Sequence, residues 1–520
     1  MVSLRRCRFT RSYAVAALAI TFLLTASITA FAHDDPDPRN AHPIELELQQ
    51  DDAIGSLPVF KGPFPDTQNM RFLSQISPDD MGALPLEGAF SKGMLNDIWG
   101  WTSPAGQEYA LVGTTDSLAI VRVTDPENPE FLGSLESPLP GNFFNLWGDA
   151  AVFENFAYFT SEVIETAVVD GQTQIVGGSE VEVVDLSGLD ALGPAPAPDT
   201  VLPLPNFQFS GGGYMSAHNI MVNEETGFAY VAGVRLEPGE ENNACGLDNP
   251  PRFNTLIYDL NVDPINPPAV ACRADVGEHD FYPIVYNGPD EEFQGREILF
   301  VFDGRDRVNP VGEKIGGFTE IWDVTDKNNI EVLAKFRVPG LVFSHNGWTT
   351  EEQDFLFIGD ELDELIQAGW EFAAAFGPVV EDPTKKPQTG TYIIDIRDLD
   401  NPVFFDRFEH GVVGLDHNFI VKEDKLYVAD YTSGTRVFKI GRDENDDVTL
   451  SPIAHMDTEP RLPNNIIAIE QENRFGSAFL GQWGVFPLFD SGTIVASDRN
   501  NGLIVMELTD EPCKGMKCSK

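Results

Sequence analysis

Thr319-Glu-Ile-Trp-Asp-Val-Thr-Asp326 and Thr391-Tyr-Ile-Ile-Asp-Ile-Arg-Asp-Leu-Asp-Asn-Pro402 share one grammar: a short β-branched and aromatic run that ends at Asp and then turns on Asp, Asn or Pro. The same grammar recurs at Leu118-Ala-Ile-Val-Arg-Val-Thr-Asp125, Val181-Glu-Val-Val-Asp185 and Thr255-Leu-Ile-Tyr-Asp259. It is weaker at Thr435-Arg-Val-Phe-Lys439 and Gly502-Leu-Ile-Val-Met506. The equivalent positions, 122, 185, 259, 323, 395, 439 and 506, lie 44 to 74 residues apart. Short strands repeating at such a period are the signature of propeller blades.

Working outward, each copy is preceded by two strands around a turn. His218-Asn-Ile-Met-Val222 leads to Phe228-Ala-Tyr-Val231, and His417-Asn-Phe-Ile-Val421 leads to Lys425-Leu-Tyr-Val428. Each unit therefore reads as strand A, strand B, the Asp-ended strand C, and a strand D such as residues 131–135 or 332–336. The last unit stops at its strand C, whereas residues 69–76 read as a strand D without a blade. The sequence thus predicts an all-β fold: a single seven-bladed β-propeller over residues 69–510, closed by the N-terminal strand (about residues 69–76) pairing with the C-terminal blade. Closure removes the free sheet edge.

Several strings resemble bacterial choice-of-anchor B proteins with LVIVD-type repeats: Met215-Ser-Ala-His-Asn-Ile220, Asn223-Glu-Glu-Thr-Gly-Phe-Ala-Tyr230 and Gly359-Asp-Glu-Leu-Asp-Glu364. The resemblance spans roughly residues 69 to 508. It implies an exported propeller, surface-associated or released, and carries no established activity.

The ends of the chain agree with export. Arg5, Arg6, Arg8 and Arg11 precede an apolar run, and Ala30-Phe31-Ala32 offers small residues where a signal peptidase reads. Residues 1–32 are therefore expected to be a signal peptide cleaved near Ala32-His33. Residues 33–68 are expected to form an acidic Pro/Asp-rich leader, and residues 511–520 a Cys-containing tail. The expected location is extracellular or periplasmic, with no membrane span in the mature chain. Cys245, Cys272, Cys513 and Cys518 remain after cleavage, an even number. Spacing suggests Cys245 with Cys272 and Cys513 with Cys518, among three formal pairings.

The formal charge is −48, from 82 acidic against 34 basic side chains. Such a surface repels nucleic acid and anionic membranes. Hydrophobic residues make up 42% of the chain, which excludes a disordered acidic protein.

Aligning the A strands gathers Asp97, Asp149, His218, His279, His345, His417 and Trp483 at one position. Strand A is innermost in a propeller, so this position faces the channel mouth. The ends of strand B lie beside it and carry Asp116, Glu162, Asp303, Asp360, Asp430 and Asp498, with Glu361 following Asp360. Imidazoles and carboxylates suit a divalent transition metal or, with more oxygens, Ca²⁺. The metal candidates are accordingly His218, His279, His345, His417, Asp97, Asp149 and Asp360. The alternative is a ring of hydrogen bonds that braces neighbouring blades. Asp303-Gly-Arg-Asp-Arg-Val-Asn309 alternates oxygen donors but lacks the closing Glu of an EF-hand. Residues 361–376 read as a helix inserted after blade five's strand B. Neither a Gly-x-Ser-x-Gly elbow nor a His-Glu-x-x-His motif occurs.

Three functions stay open. The favoured one is a non-catalytic binding propeller for a protein or glycan ligand at the cell surface or in the medium, with a divalent metal at the channel mouth. The others are a metal-dependent hydrolase or lyase using the His/Asp ring, and a structural component of an extracellular matrix. A fold alone does not separate them.

Overall fold

The computed structural model describes residues 58–85, 93–115, 117–135, 147–162, 164–169, 172–209, 211–250, 254–274, 278–305, 318–364, 388–462 and 478–509. The expected signal peptide, most of the expected leader, Asp116, Cys513, Cys518, residues 306–309 and residues 365–376 lie outside them.

Among the described residues, seven antiparallel sheets, five of four strands and two of five, are arranged as a β-propeller. Strands A to D of the first blade are Leu95–Thr102, Glu108–Thr114, Leu118–Arg122 and Glu130–Ser134. Blade 5 runs Phe343–Thr349, Phe355–Asp360, Gly390–Asp395 and Val403–Glu409. Blade 6 runs Asp416–Lys422, Lys425–Asp430, Gly434–Arg442 and Val448–Met456. In blade 7, Gln482–Phe486, Ile494–Asp498 and Gly502–Leu508 are joined by Met70–Ile76, which pairs antiparallel with Gly502–Leu508. The first strand of the propeller thus completes its last blade.

Alternation along each strand is what joins one blade to the next. Tyr109 and Leu111 point one way and pack with Val152, Phe159 and Val184 of blade 2. Their neighbours Ala110 and Val112 point the other way and pack with Phe486, Val495 and Val505 of blade 7. Seven such apolar clusters exist, one at each blade interface. A strand apolar on both faces needs cover on both faces, and a ring of stacked blades supplies it. The D strands face outward and are more polar, as in Val403–Glu409, of which most residues are exposed.

The structure departs from the sequence reading next to the closing strand. Residues 58–68, expected as part of an extended leader, are seated on the ring. Phe64 is buried with Met70 and Met456, and Thr67–Gln68 pairs with the outer strand of blade 6. The polar stretch after strand B of blade 2 forms a hairpin, Ile164–Val169 with Gln172–Gly178. A disulfide links Cys245, between strands B and C of blade 3, to Cys272 on strand D of that blade, with Cα atoms 5.3 Å apart.

Candidate metal centre at the channel mouth

In blades 3 to 6 two residues in succession, instead of one, reach the channel from strand A. In four A strands the pairing with strand B slips here: between Leu95 and Ile98, Ser344 and Gly347, Asp416 and Phe419, and Gln482 and Gly484. Such a bulge sets two residues against one and breaks the in-out alternation. Matching the slips aligns His417-Asn418 with His345-Asn346, Asn96-Asp97 and Trp483-Gly484. Asp97 therefore sits one residue deeper than the imidazoles. Asp149, which precedes Ala150 in the strand register as Asn219 precedes Ile220, lies at the same deeper level.

The deeper ring is tied together by hydrogen bonds. Asn346 Nδ2 donates to Asn418 Oδ1 at 3.1 Å, and Asn418 Nδ2 donates to Asp97 Oδ1 at 3.1 Å. Burial first, then the charges of Asp97, Asp280 and Glu162, push the Asp149 carboxyl well above the usual range; burial pushes Asp97 up to about 7. Asp149 thus keeps its proton and shares it with Asp97. A Cβ at Gly484 would stand 3.0 Å from Asp97 Oδ1, so this ring has no room for a seventh side chain there.

The imidazole ring is different in kind. Ring centroids lie 4.1 Å apart from His218 to His279, 4.4 Å from His279 to His345, 4.1 Å from His345 to His417, and 4.5 Å from His417 to Trp483. His345 is 2% exposed and His417 3%. Burial, reinforced by the neighbouring imidazoles, holds His345 well below the ordinary histidine range; burial likewise holds His279 and His417 below it. All three are neutral near pH 7. The carbonyl of Trp483 accepts from His417 Nδ1 at 2.7 Å, so Nδ1 carries the proton and Nε2 offers a lone pair. His345 Nδ1 is buried without a hydrogen-bond partner. Asp280 Oδ1 lies 2.9 Å from His279 Nδ1 but out of line for a hydrogen bond.

Carboxylates face these nitrogens. Glu361 stands 3.8 Å from His345 Nε2 and 3.8 Å from His417 Nε2. Asp280 stands 3.9 Å from His218 Nε2 and 3.8 Å from His345 Nδ1. A lone pair on Nε2 and a carboxylate oxygen 3.8 Å away are two acceptors too far apart for a direct hydrogen bond. Two metal–ligand bonds of about 2.0–2.2 Å span that gap. Two half-sites result, His218 with His279 and Asp280, and His345 with Glu361 and His417; within each, the ligand atoms lie within 4.8 Å of one another. Burial alone would lower His218, but the hydrogen-bonded Glu162 carboxylate outweighs it and raises the imidazole. Tyr431 donates to Glu361 Oε1 at 2.7 Å, and the buried Arg499 guanidinium sits 4.8 Å over the Trp483 ring. The donor set fits a divalent transition metal.

Asp360 does not join this group. Its Oδ1 accepts from the amides of Phe343, Leu362 and Asp363 at 3.0 to 3.2 Å, and Oδ2 accepts from Val342. Asp498, at the same end of strand B in blade 7, accepts likewise from Asn500 and Asn501. These Asp residues turn the chain after strand B, as short carboxylates do. In blade 5 the turn swings the next residue, Glu361, into the channel. Asp280 was also missed by the sequence reading. Its signal is the residue after each His, which is Asn, Asp, Asn and Asn in blades 3 to 6. Among the described residues, no helix is long and apolar enough to cross a membrane.

No family model matches the chain, and no curated protein does. Among solved structures, the chain is similar to a periplasmic gluconolactonase from Pseudomonas aeruginosa, at 9% identity and a TM-score of 0.42, covering 81% of this chain and 98% of that one. A hypothetical selenium-binding protein from Sulfolobus tokodaii aligns at 10% identity and a TM-score of 0.42, covering 76% and 92%. A functionally unknown protein from Desulfotomaculum acetoxidans aligns at 10% identity and a TM-score of 0.38, covering 80% and 99%.

Proposed function

We propose that this chain is an exported binding propeller of the choice-of-anchor B kind, whose channel mouth holds a divalent transition metal between the His218/His279/Asp280 and His345/Glu361/His417 groups. The observation that carries the reading is the pair of buried, neutral imidazoles His345 and His417 facing Glu361 at 3.8 Å, too long for hydrogen bonds. A bracing role alone accounts for the Asn346–Asn418–Asp97 run of the deeper ring, where each contact is a made hydrogen bond. It leaves His345 Nδ1 and the 3.8 Å gaps without a purpose. A metal held by these residues would supply a Lewis acid at the mouth for an oxygen donor of a protein or glycan ligand. Export rests on the N-terminal signal grammar, the Cys245–Cys272 disulfide and the acidic surface. The absence of a recognisable nucleophile motif favours binding over turnover.

X-ray absorption spectroscopy of the protein loaded with Zn²⁺ tests the site. The outer-shell scattering of several imidazoles is expected, with first-shell N/O distances of about 2.0–2.2 Å. A spectrum of oxygen neighbours only would place the metal on surface carboxylates and overturn the reading.

A further inference from the structure

The turn that sends Glu361 into the channel carries a second set of carboxylates on its other side. Asp360, Asp363 and Glu364 meet Asp416, the residue before His417, and none of the four is more than 1% exposed. One guanidinium faces them: Arg407 Nη2 lies 3.0 Å from Asp363 Oδ2 and 4.0 Å from Glu364 Oε1. Asp360 is occupied by backbone amides, and Asp416 Oδ2 accepts from the Asp360 amide at 3.2 Å. Among the described residues, no N–H or O–H group donates to either oxygen of Glu364 or to Oδ1 of Asp416, all of them buried. The neighbouring Asp430 is paired with Arg436 at 3.3 Å, with His410 Nδ1 at 3.4 Å, so that guanidinium does not serve the cluster.

An ionised carboxylate accepts and cannot donate, and one left unpaired in a dry interior is strongly unfavourable. Among the described residues, four carboxylates face one guanidinium in the wedge between blades 5 and 6. Oxygens from Asp363, Glu364 and Asp416 all lie within 4.8 Å of one another, the span of two Ca–O bonds of about 2.3–2.6 Å. No nitrogen or sulfur ligand takes part, which selects a hard cation; Mg²⁺ would keep several waters that a dry wedge does not accommodate.

We propose that Asp363, Glu364 and Asp416 form a buried Ca²⁺ site between blades 5 and 6, independent of the imidazole cluster. Its cation pins residues 360–364 to strand A of blade 6, on both sides of the channel wall that carries Glu361 and His417.

The test uses the full chain stripped with chelator and titrated with Tb³⁺, a luminescent stand-in for Ca²⁺. The Tyr392 hydroxyl, which donates to Asp363 at 3.3 Å, is a built-in antenna. Saturable emission under tyrosine excitation is expected. Ca²⁺ should displace it, and its lifetime should be nearly equal in H₂O and D₂O. Glu364→Gln and Asp416→Asn should each abolish it, and His345→Ala should retain it. Emission that persists in both carboxamide variants, or disappears in His345→Ala, overturns the proposal. If the carboxamide variants fail to fold, the wild-type lifetime decides: a strong D₂O effect places Tb³⁺ on hydrated surface carboxylates and equally overturns it.

Discussion

The Glu361 carboxylate stands 3.8 Å from Nε2 of both His345 and His417, whose ring centroids lie 4.1 Å apart. Replacing it with Gln keeps the length of the side chain and an oxygen for the Tyr431 hydroxyl, but removes the charge. Glu361→Gln is expected to weaken Zn²⁺ binding by at least about tenfold, the loss seen even for partners outside the coordination sphere. Isothermal titration calorimetry against the wild type measures this, and unchanged affinity would remove Glu361 from the site.

Glu162 sets His218 apart from its three neighbours. Its carboxylate raises the His218 imidazole, whereas the others are lowered by burial. In metal-free protein, Glu162→Gln should move the His218 titration to lower pH and leave His417 in place. NMR of ¹³C-labelled imidazoles reads both directly.

Asp498 makes stability depend on pH. Burial, aided by the charge of Glu459, pushes its carboxyl up to about 7, above the unfolded value. The folded state then binds the extra proton, so stability falls as pH rises from the ordinary carboxylate range to about 7 and levels off beyond. Asp498→Asn keeps the acceptor for the Asn500 and Asn501 amides and removes the titration. Urea midpoints at about pH 5 and about pH 8 should converge in the variant by an amount worth up to a few kcal/mol. An unchanged pH dependence would contradict this.

Met70 is fully buried where the closing strand meets blades 6 and 7. Met70→Ala should cost about 2–5 kcal/mol in chemical denaturation, as deletion of a core side chain does. A loss below about 0.5 kcal/mol, the scale of surface substitutions, would mean that the closing strand contributes little.

The blades were legible because their signal is local: β-branched runs ending at Asp, repeated in phase, with an unpartnered strand D at the start. The four His were legible for the same reason, since each opens a strand A. The level of Asp97 and Asp149 was not, because a bulge changes which residues face inward without changing composition. Asp360 and Glu361 illustrate a second limit. Adjacent acids look alike in sequence, and only the turn geometry assigns one to backbone amides and the other to the channel. Asp363 and Glu364 were hidden by context, being two more acids in a chain with 82.

The most direct test of the central claim is metal analysis by inductively coupled plasma mass spectrometry. Purified protein, incubated in turn with Zn²⁺, Mn²⁺ and Cu²⁺ and then dialysed, would be compared with the His279→Ala/His345→Ala variant. The account predicts stoichiometric metal in the wild type and its loss in the folded variant. Wild-type protein that retains none of the three ions, or a variant that retains as much as the wild type, would contradict it and leave the imidazole ring as part of the architecture.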